Sequence, residues 1–157
     1  MSVEIYTDGS SRGNPGRGGF GAILKFGPHE KELSGGYKLT TNNRMELLAV
    51  VKGLEAIIKH GIKVTIFSDS KYVVESVEKK WLDGWLRTNF KGKKNADLWK
   101  RYALIAKNFH VKFVWIKGHN DHPYNERCDQ LATAAADSTN LEDDSGYIAQ
   151  QSENGLF

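Results

Sequence analysis

At Asn43 the hydrophobic period of the chain changes, and no other feature of the sequence constrains the fold as much. Before it, Val3, Ile5 and Thr7 alternate with Glu4, Tyr6 and Asp8, the period of two that marks a strand. The run Ser11-Arg12-Gly13-Asn14-Pro15-Gly16-Arg17-Gly18-Gly19 reads as a glycine-rich loop. Residues 20–26 and 30–39 read as two more strands, with Gly27-Pro28 turning an antiparallel hairpin between them. After Asn43, Leu47, Val50, Val51, Leu54, Ile57 and Ile58 recur at helical spacing, and Gly61 supplies a stop.

The second half alternates the two periods. Residues 63–68 predict a strand, and Ser70 predicts the cap of a helix running through Val73, Val74, Val77 and Trp81. Residues 85–95 are a polar, basic break. Leu98, Tyr102 and Ile105 mark a further helix, and residues 111–116 a strand. Pro123 suits the first position of a last helix with Cys128, Leu131, Ala132 and Ala135 as its apolar stripe. Three strands, then helix, strand, helices, strand, helix predict an α/β fold. Its mixed five-stranded sheet is antiparallel in the first half and parallel later, flanked by helices.

Against that frame, four carboxylates sit in costly places. Asp8 closes the first strand and Asp69 the fourth, and in sheets with parallel strands ligands bind beyond the carboxyl ends. Glu46 shares a helix face with Val50, Gly53 and Ile57, and Asp129 lies beside the apolar stripe of the last helix. Acidic groups on inward faces are unfavourable unless neutralised. Singly, each has a plain alternative: a helix-dipole partner for Glu46, a pair with Arg127 for Asp129, turn caps for the aspartates. Together they point to a hard cation with oxygen ligands, magnesium or manganese. His119, His122 and Cys128 have no zinc spacing, and no twelve-residue acidic calcium loop is present.

Charge is unevenly placed. The formal net charge is +3, but residues 137–157 hold five acidic residues and no Lys or Arg, which leaves +8 on the preceding chain. Residues 79–101 alone carry Lys79, Lys80, Arg87, Lys91, Lys93, Lys94, Lys100 and Arg101 against Asp83 and Asp97, a net +6, interleaved with Trp81, Trp85, Phe90 and Trp99. Such a segment can follow a phosphate backbone. Its plain alternative is a solvated helix whose tryptophans are core, the reading favoured for Trp85 and Trp99. One cysteine, a first segment unlike a signal peptide, and no apolar run near the roughly 20 residues of a bilayer span predict a soluble, cytoplasmic protein.

The motifs Tyr6-Thr7-Asp8-Gly9-Ser10, Gly13-Asn14-Pro15-Gly16, Thr41-Asn42-Asn43-Arg44-Met45-Glu46-Leu47, Ser68-Asp69-Ser70-Lys71-Tyr72-Val73, Trp115-Ile116-Lys117-Gly118-His119 and Asn125-Glu126-Arg127-Cys128-Asp129 occur in this order. Over residues 3–137 the chain resembles bacterial ribonuclease H of type 1. The resemblance implies an endonuclease that hydrolyses the RNA strand of RNA–DNA hybrids, leaving 5′-phosphate and 3′-hydroxyl ends. It further implies that Asp8, Glu46, Asp69 and Asp129 hold two Mg2+ ions, with Mn2+ as a substitute, and that His119 serves in proton transfer or product release. Ser11, Asn14, Asn42 and Asn43 are then expected on the RNA strand, where an amide can both donate to and accept from a 2′-hydroxyl. For the three asparagines, turn chemistry and helix capping are compatible alternatives.

Lys25, Thr41 and Asn95 match a pocket for a DNA phosphate, and Lys79, Lys80, Trp81, Arg87, Lys91, Lys93 and Lys94 match a basic protrusion that grips the DNA strand. Lys25 stands where arginine is frequent, which turns a bidentate grip into a point charge. Ser11 stands where some members have cysteine, and the basic segment is shorter than in some. The resemblance divides the chain into a catalytic domain over residues 1–137 and an acidic, loosely ordered tail over 138–157. The expected partner is the hybrid itself, with a monomeric chain, no obligate protein partner and no membrane. The rival classes are a hybrid-binding module that does not cut, an integrase or transposase on the same fold, and a glycosidase with paired carboxylates.

Overall fold

The computed structural model describes residues 1–118 and 122–154. Strands β1 (Ser2–Arg12), β2 (Gly16–Phe26) and β3 (His29–Thr40) form an antiparallel meander. They are followed by α1 (Asn42–Glu55), β4 (Lys63–Ser68), α2 (Lys71–Glu78), α3 (Trp81–Arg87), α4 (Ala96–Ala106), β5 (His110–Trp115) and α5 (Pro123–Ala136). A short β6 (Leu141–Glu142) and α6 (Ser145–Asn154) complete the described chain. The sheet order is β5-β4-β1-β2-β3-β6, with β4 and β5 parallel to β1. The mixed sheet is as expected, with six strands in place of five.

Two helices sandwich the sheet, and small residues set how closely they lie. Helix α1 buries Met45, Leu47, Leu48, Val50, Val51 and Leu54 in the main core with Ile5, Val64 and Ile66. It meets β1 at Gly9, where a Cβ would overlap the backbone of Glu46. Helix α5 lies across β1–β3 over Gly19, Gly21 and Gly36, each of which faces its backbone directly. Cys128 is one such contact residue: it is fully buried, and its thiol donates to the carbonyl of Tyr6 at 3.2 Å.

Four local expectations are corrected. The glycine-rich run is mostly strand, since β1 runs to Arg12 and β2 begins at Gly16, which leaves the three residues 13–15 as the turn. Helix α1 ends at Glu55, and Ile58 is 95% exposed instead of belonging to an apolar stripe. The helix expected through Trp81 divides at Lys80, whose φ of 61° is left-handed, and α3 takes in Trp85.

The fourth correction is the largest. Residues 138–154, expected as a loose tail, add β6 to the free edge of β3 and form α6, whose Gly146 lies against Asp97 of α4. The cause is charge pairing. Arg44, itself 1% exposed, holds Asp144 through Nε at 2.8 Å and Asp97 through Nη2 at 2.7 Å. Thr40 donates to the same Asp144 at 2.7 Å, and Tyr147 buries its ring behind it. Asp137 pairs with Arg12 and Asp143 with Lys38, so the acidic tail is largely neutralised within the fold rather than free to compete for a basic surface.

Candidate active site

The β1–β4 register carries the first pair of carboxylates together. The parallel ladder ends at Tyr6–Phe67, and the same register continued two residues places Asp8 beside Asp69 where the strands separate. Glu46, the fifth residue of α1 and so just past its first turn, is brought in by the close approach at Gly9. One carboxylate oxygen from each of Asp8, Glu46 and Asp69 lies within 4.8 Å of the others. Asp8 is 6% exposed and Glu46 5%. Asp129, half-buried on α5, stands outside that group, but its charge still reaches Asp8 and raises its pKa.

The electrostatics of this cluster are unfavourable without a counter-charge. Burial, then the charge of Asp69, pushes the Asp8 carboxyl up to about 8. Burial, then the charges of Asp8 and Asp69, raises Glu46 well above its ordinary value. The Gly9 amide donates to Asp8 Oδ1 at 3.0 Å, whereas Glu46 Oε1 is buried with no hydrogen-bond partner. A bare buried carboxylate oxygen among two further carboxylates is a donor set for a hard divalent cation. Across the cluster, Gly118 lies so close to Asp69 that a Cβ there would fall 2.8 Å from Oδ2. His119 lies outside the described residues.

The proposed substrate residues divide into two places. Asn14, in the β1–β2 turn, accepts from the backbone N–H of Asn42 at 3.1 Å, so the turn and the start of α1 form one rim. The helix cap is Thr41, which accepts from Arg44 N at 3.2 Å; this leaves the exposed Asn43 side chain uncommitted to capping. Asn14, Thr41, Asn43, Lys94 and Asn95 line one cleft of about 320 Å³. Ser11 is half-buried on β1, paired with Gly18.

Lys25 is a correction. It lies at the far end of β2, paired with Glu4, nine residues from Gly16 and so about 30 Å from the Thr41 rim. Its ammonium sits 5.1 Å from the centre of the Tyr124 ring. It does not join Thr41 and Asn95 in one pocket.

The basic segment is a solvent-facing projection. Lys79, Lys80, Trp81, Arg87, Lys91, Lys93 and Lys94 are all exposed, and of these only Lys79 has an acidic partner among the described residues, Glu75 at 3.0 Å. Trp99 is fully buried and Trp85 packs edge-on to it, which makes both core residues, while Trp81 is 45% exposed beneath Lys79. Arg101 turns inward to a bidentate pair with Glu55 and leaves the basic face.

Two functional neighbours escaped the sequence. Tyr72 accepts from Asn95 Nδ2 at 3.0 Å and from Trp99 Nε1 at 2.8 Å, tying the cleft to the core. Gln150 on α6 reaches the backbone of Asn95. A tyrosine in an amphipathic helix and a glutamine in a polar tail carry no pattern that would single them out.

The fold has counterparts of known class. The RNase H family model matches residues 1–137. This chain belongs to the RNase H family. A protein named Ribonuclease H from Lachnoclostridium phytofermentans is 57% identical, over 92% of this chain and 98% of that one. Among solved structures, LC9-RNase H1, a type 1 RNase H with the type 2 active-site motif, superposes with a TM-score of 0.78 at 28% identity, covering 86% of this chain and 72% of that chain. LC11-RNase H1, solved in complex with an RNA/DNA hybrid, gives a TM-score of 0.65 at 26% identity, covering 86% and 96%. The family match therefore covers β1–β5, including the strands that carry Asp8 and lead to Asp69, and leaves β6 and α6 outside it.

Proposed function

We propose that this chain is a ribonuclease H that hydrolyses the RNA strand of RNA–DNA hybrids, using two divalent cations, Mg2+ by preference, and leaving 5′-phosphate and 3′-hydroxyl ends. The observation that carries the reading is the Asp8–Glu46–Asp69 cluster with its bare Glu46 oxygen, in a fold whose relatives are ribonucleases H. The hybrid bound to LC11-RNase H1 supports the substrate class.

Bound at the cluster, the cations supply an activated water and a counter-charge for the leaving oxygen. The chain's own residues do the positioning. Asp8 and Asp69 present carboxylates from two diverging strands, and Glu46 closes the set from the helix side. Asp129 adds negative charge from α5 at the edge of the cluster. Asn14, Asn42, Asn43 and Ser11 face the RNA strand, where amide and hydroxyl groups can test for the 2′-hydroxyl. Thr41, Asn95, Lys94 and the exposed basic projection hold the DNA strand. His119, next in sequence to the Gly118 that touches Asp69, handles a proton or releases product. Its replacement by alanine lowers turnover and leaves residual activity.

The deciding experiment is cleavage of an end-labelled hybrid with Mg2+ by the native chain and by Asp69→Asn, beside duplex DNA and duplex RNA. The native chain cuts only the RNA of the hybrid, and the variant loses at least about a hundredfold in rate while still binding. Binding without cutting by the native chain would leave a hybrid-binding module instead. The working form is a cytoplasmic monomer, and among the described residues no helix is long and apolar enough to cross a membrane.

A further inference from the structure

The cleft shared by Thr41 and Asn95 already contains an oxygen acceptor. Asn95 is 5% exposed, and its side chain is committed inward: Nδ2 donates to Tyr72, and Oδ1 accepts from Arg44. Its left-handed backbone, with φ of 67°, leaves the N–H as its donor toward the cleft. Gln150 Oε1 accepts that N–H at 2.6 Å. Among the described residues the cleft lining carries no acid: beside the exposed ammonium of Lys94 stand neutral groups, among them the Thr41 hydroxyl and the amides of Asn43 and Gln151. A carbonyl oxygen on a backbone N–H beside a lysine and a hydroxyl occupies the place an anion's oxygen would take.

Gln150 is held there by contacts that owe nothing to substrate. Asp144 is clamped by Arg44 and accepts from the Tyr147 N–H, which fixes the start of α6. Gly146 permits the approach, since a Cβ there would overlap Asp97 Oδ2 and come 2.6 Å from Arg44 Nη2.

We propose that Gln150 is an intramolecular competitor for the substrate: its side-chain carbonyl stands in for a phosphate oxygen of the DNA strand on the Asn95 N–H and must swing out before the hybrid seats. The inference rests on the reading of Thr41 and Asn95 as a DNA-phosphate site. Gln150 thereby sets the affinity for hybrid without entering the chemistry. It also gives α6 a role in substrate selection.

The test is the dissociation constant of a fluorescent hybrid in EDTA, where no cleavage occurs, for the native chain, Gln150→Ala and Gln150→Glu. Removing one neutral hydrogen-bond competitor tightens binding about three- to tenfold in Gln150→Ala. Gln150→Glu weakens it, because a carboxylate repels the phosphate. In steady-state cleavage with Mg2+, Gln150→Ala lowers KM and changes kcat by a smaller factor than KM. A series of hybrids with one methylphosphonate at successive DNA linkages then locates the effect. The gain in Gln150→Ala disappears at a single linkage, which a general loosening of α6 would not produce. Unchanged or weaker binding by Gln150→Ala, or a gain equal at all linkages, overturns the role of Gln150 alone. A native chain indifferent to methylphosphonate at every linkage removes the phosphate site itself, and the competitor with it.

Discussion

Replacing Asp8 by asparagine changes how stability depends on pH in a way that can be worked from the carboxylate cluster. In the unfolded chain this carboxyl titrates near 4, as free aspartate does. In the metal-free fold, burial and Asp69 push it up to about 8. Between those values the folded chain holds a proton that the unfolded chain has released, so the stability of the native protein falls as pH rises. One extra bound proton gives a slope of about 1.4 kcal/mol per pH unit, or at most about 4 kcal/mol between pH 5 and pH 8. Asparagine is close in shape to the protonated acid and does not titrate, so Asp8→Asn lacks this contribution. Its advantage over the native chain is small at pH 5, grows toward pH 8 and then levels off. Urea denaturation in EDTA at half-unit pH steps measures the difference directly. Excess Mg2+ reduces it, because the cation binds the native cluster in its ionised form and stabilises by mass action. Parallel stability curves for the two proteins from pH 5 to 8 in EDTA would refute the argument that the cluster stores mutual repulsion.

Other perturbations separate site from scaffold. Arg44→Met leaves Asp144 buried and unpaired and should cost about 3 kcal/mol, lowering Tm by about 10 °C in a thermal melt. Gly9→Ala forces α1 away from β1 at Glu46; kcat should fall at least about tenfold, with a stability loss of about 1–3 kcal/mol in urea titration. Replacing Lys91, Lys93 and Lys94 together by alanine should flatten the dependence of log K on log salt by about two to three, read from hybrid titrations at several salt concentrations. An unchanged slope would mean that this projection does not touch the backbone.

The architecture was legible where local chemistry and tertiary contact agree. Alternation in β1 and the helical stripe of α1 follow from burial on one face, and that signal survives in the sequence. Asp8, Glu46 and Asp69 were legible as a set, because each acid alone has a plain structural alternative but no one alternative explains all three together. The β1–β4 register then brings two of them side by side. Lys25 was misplaced because a position in a motif says nothing of distance along a strand, and nine residues of β2 separate it from the rim. The helix break at Lys80 was hidden because a left-handed lysine has no signature, unlike the left-handed Gly61.

The tail shows why low hydrophobicity was a poor guide. Residues 138–154 carry few apolar groups, so burial alone would not order them. What orders them is a buried guanidinium 100 residues away in the sequence, at the third residue of α1. Arg44 sits two residues before Glu46, and its fork is shared between Asp97 at the start of α4 and Asp144 at the start of α6. One side chain therefore fixes the first turn of the helix that delivers Glu46, the αL corner at Asn95 and the helix that delivers Gln150. The carboxylate cluster and the DNA-side cleft are built from opposite sides of this single ion network. Loosening it should disturb hybrid affinity and metal binding together, whereas changes at Gln150 should move affinity alone.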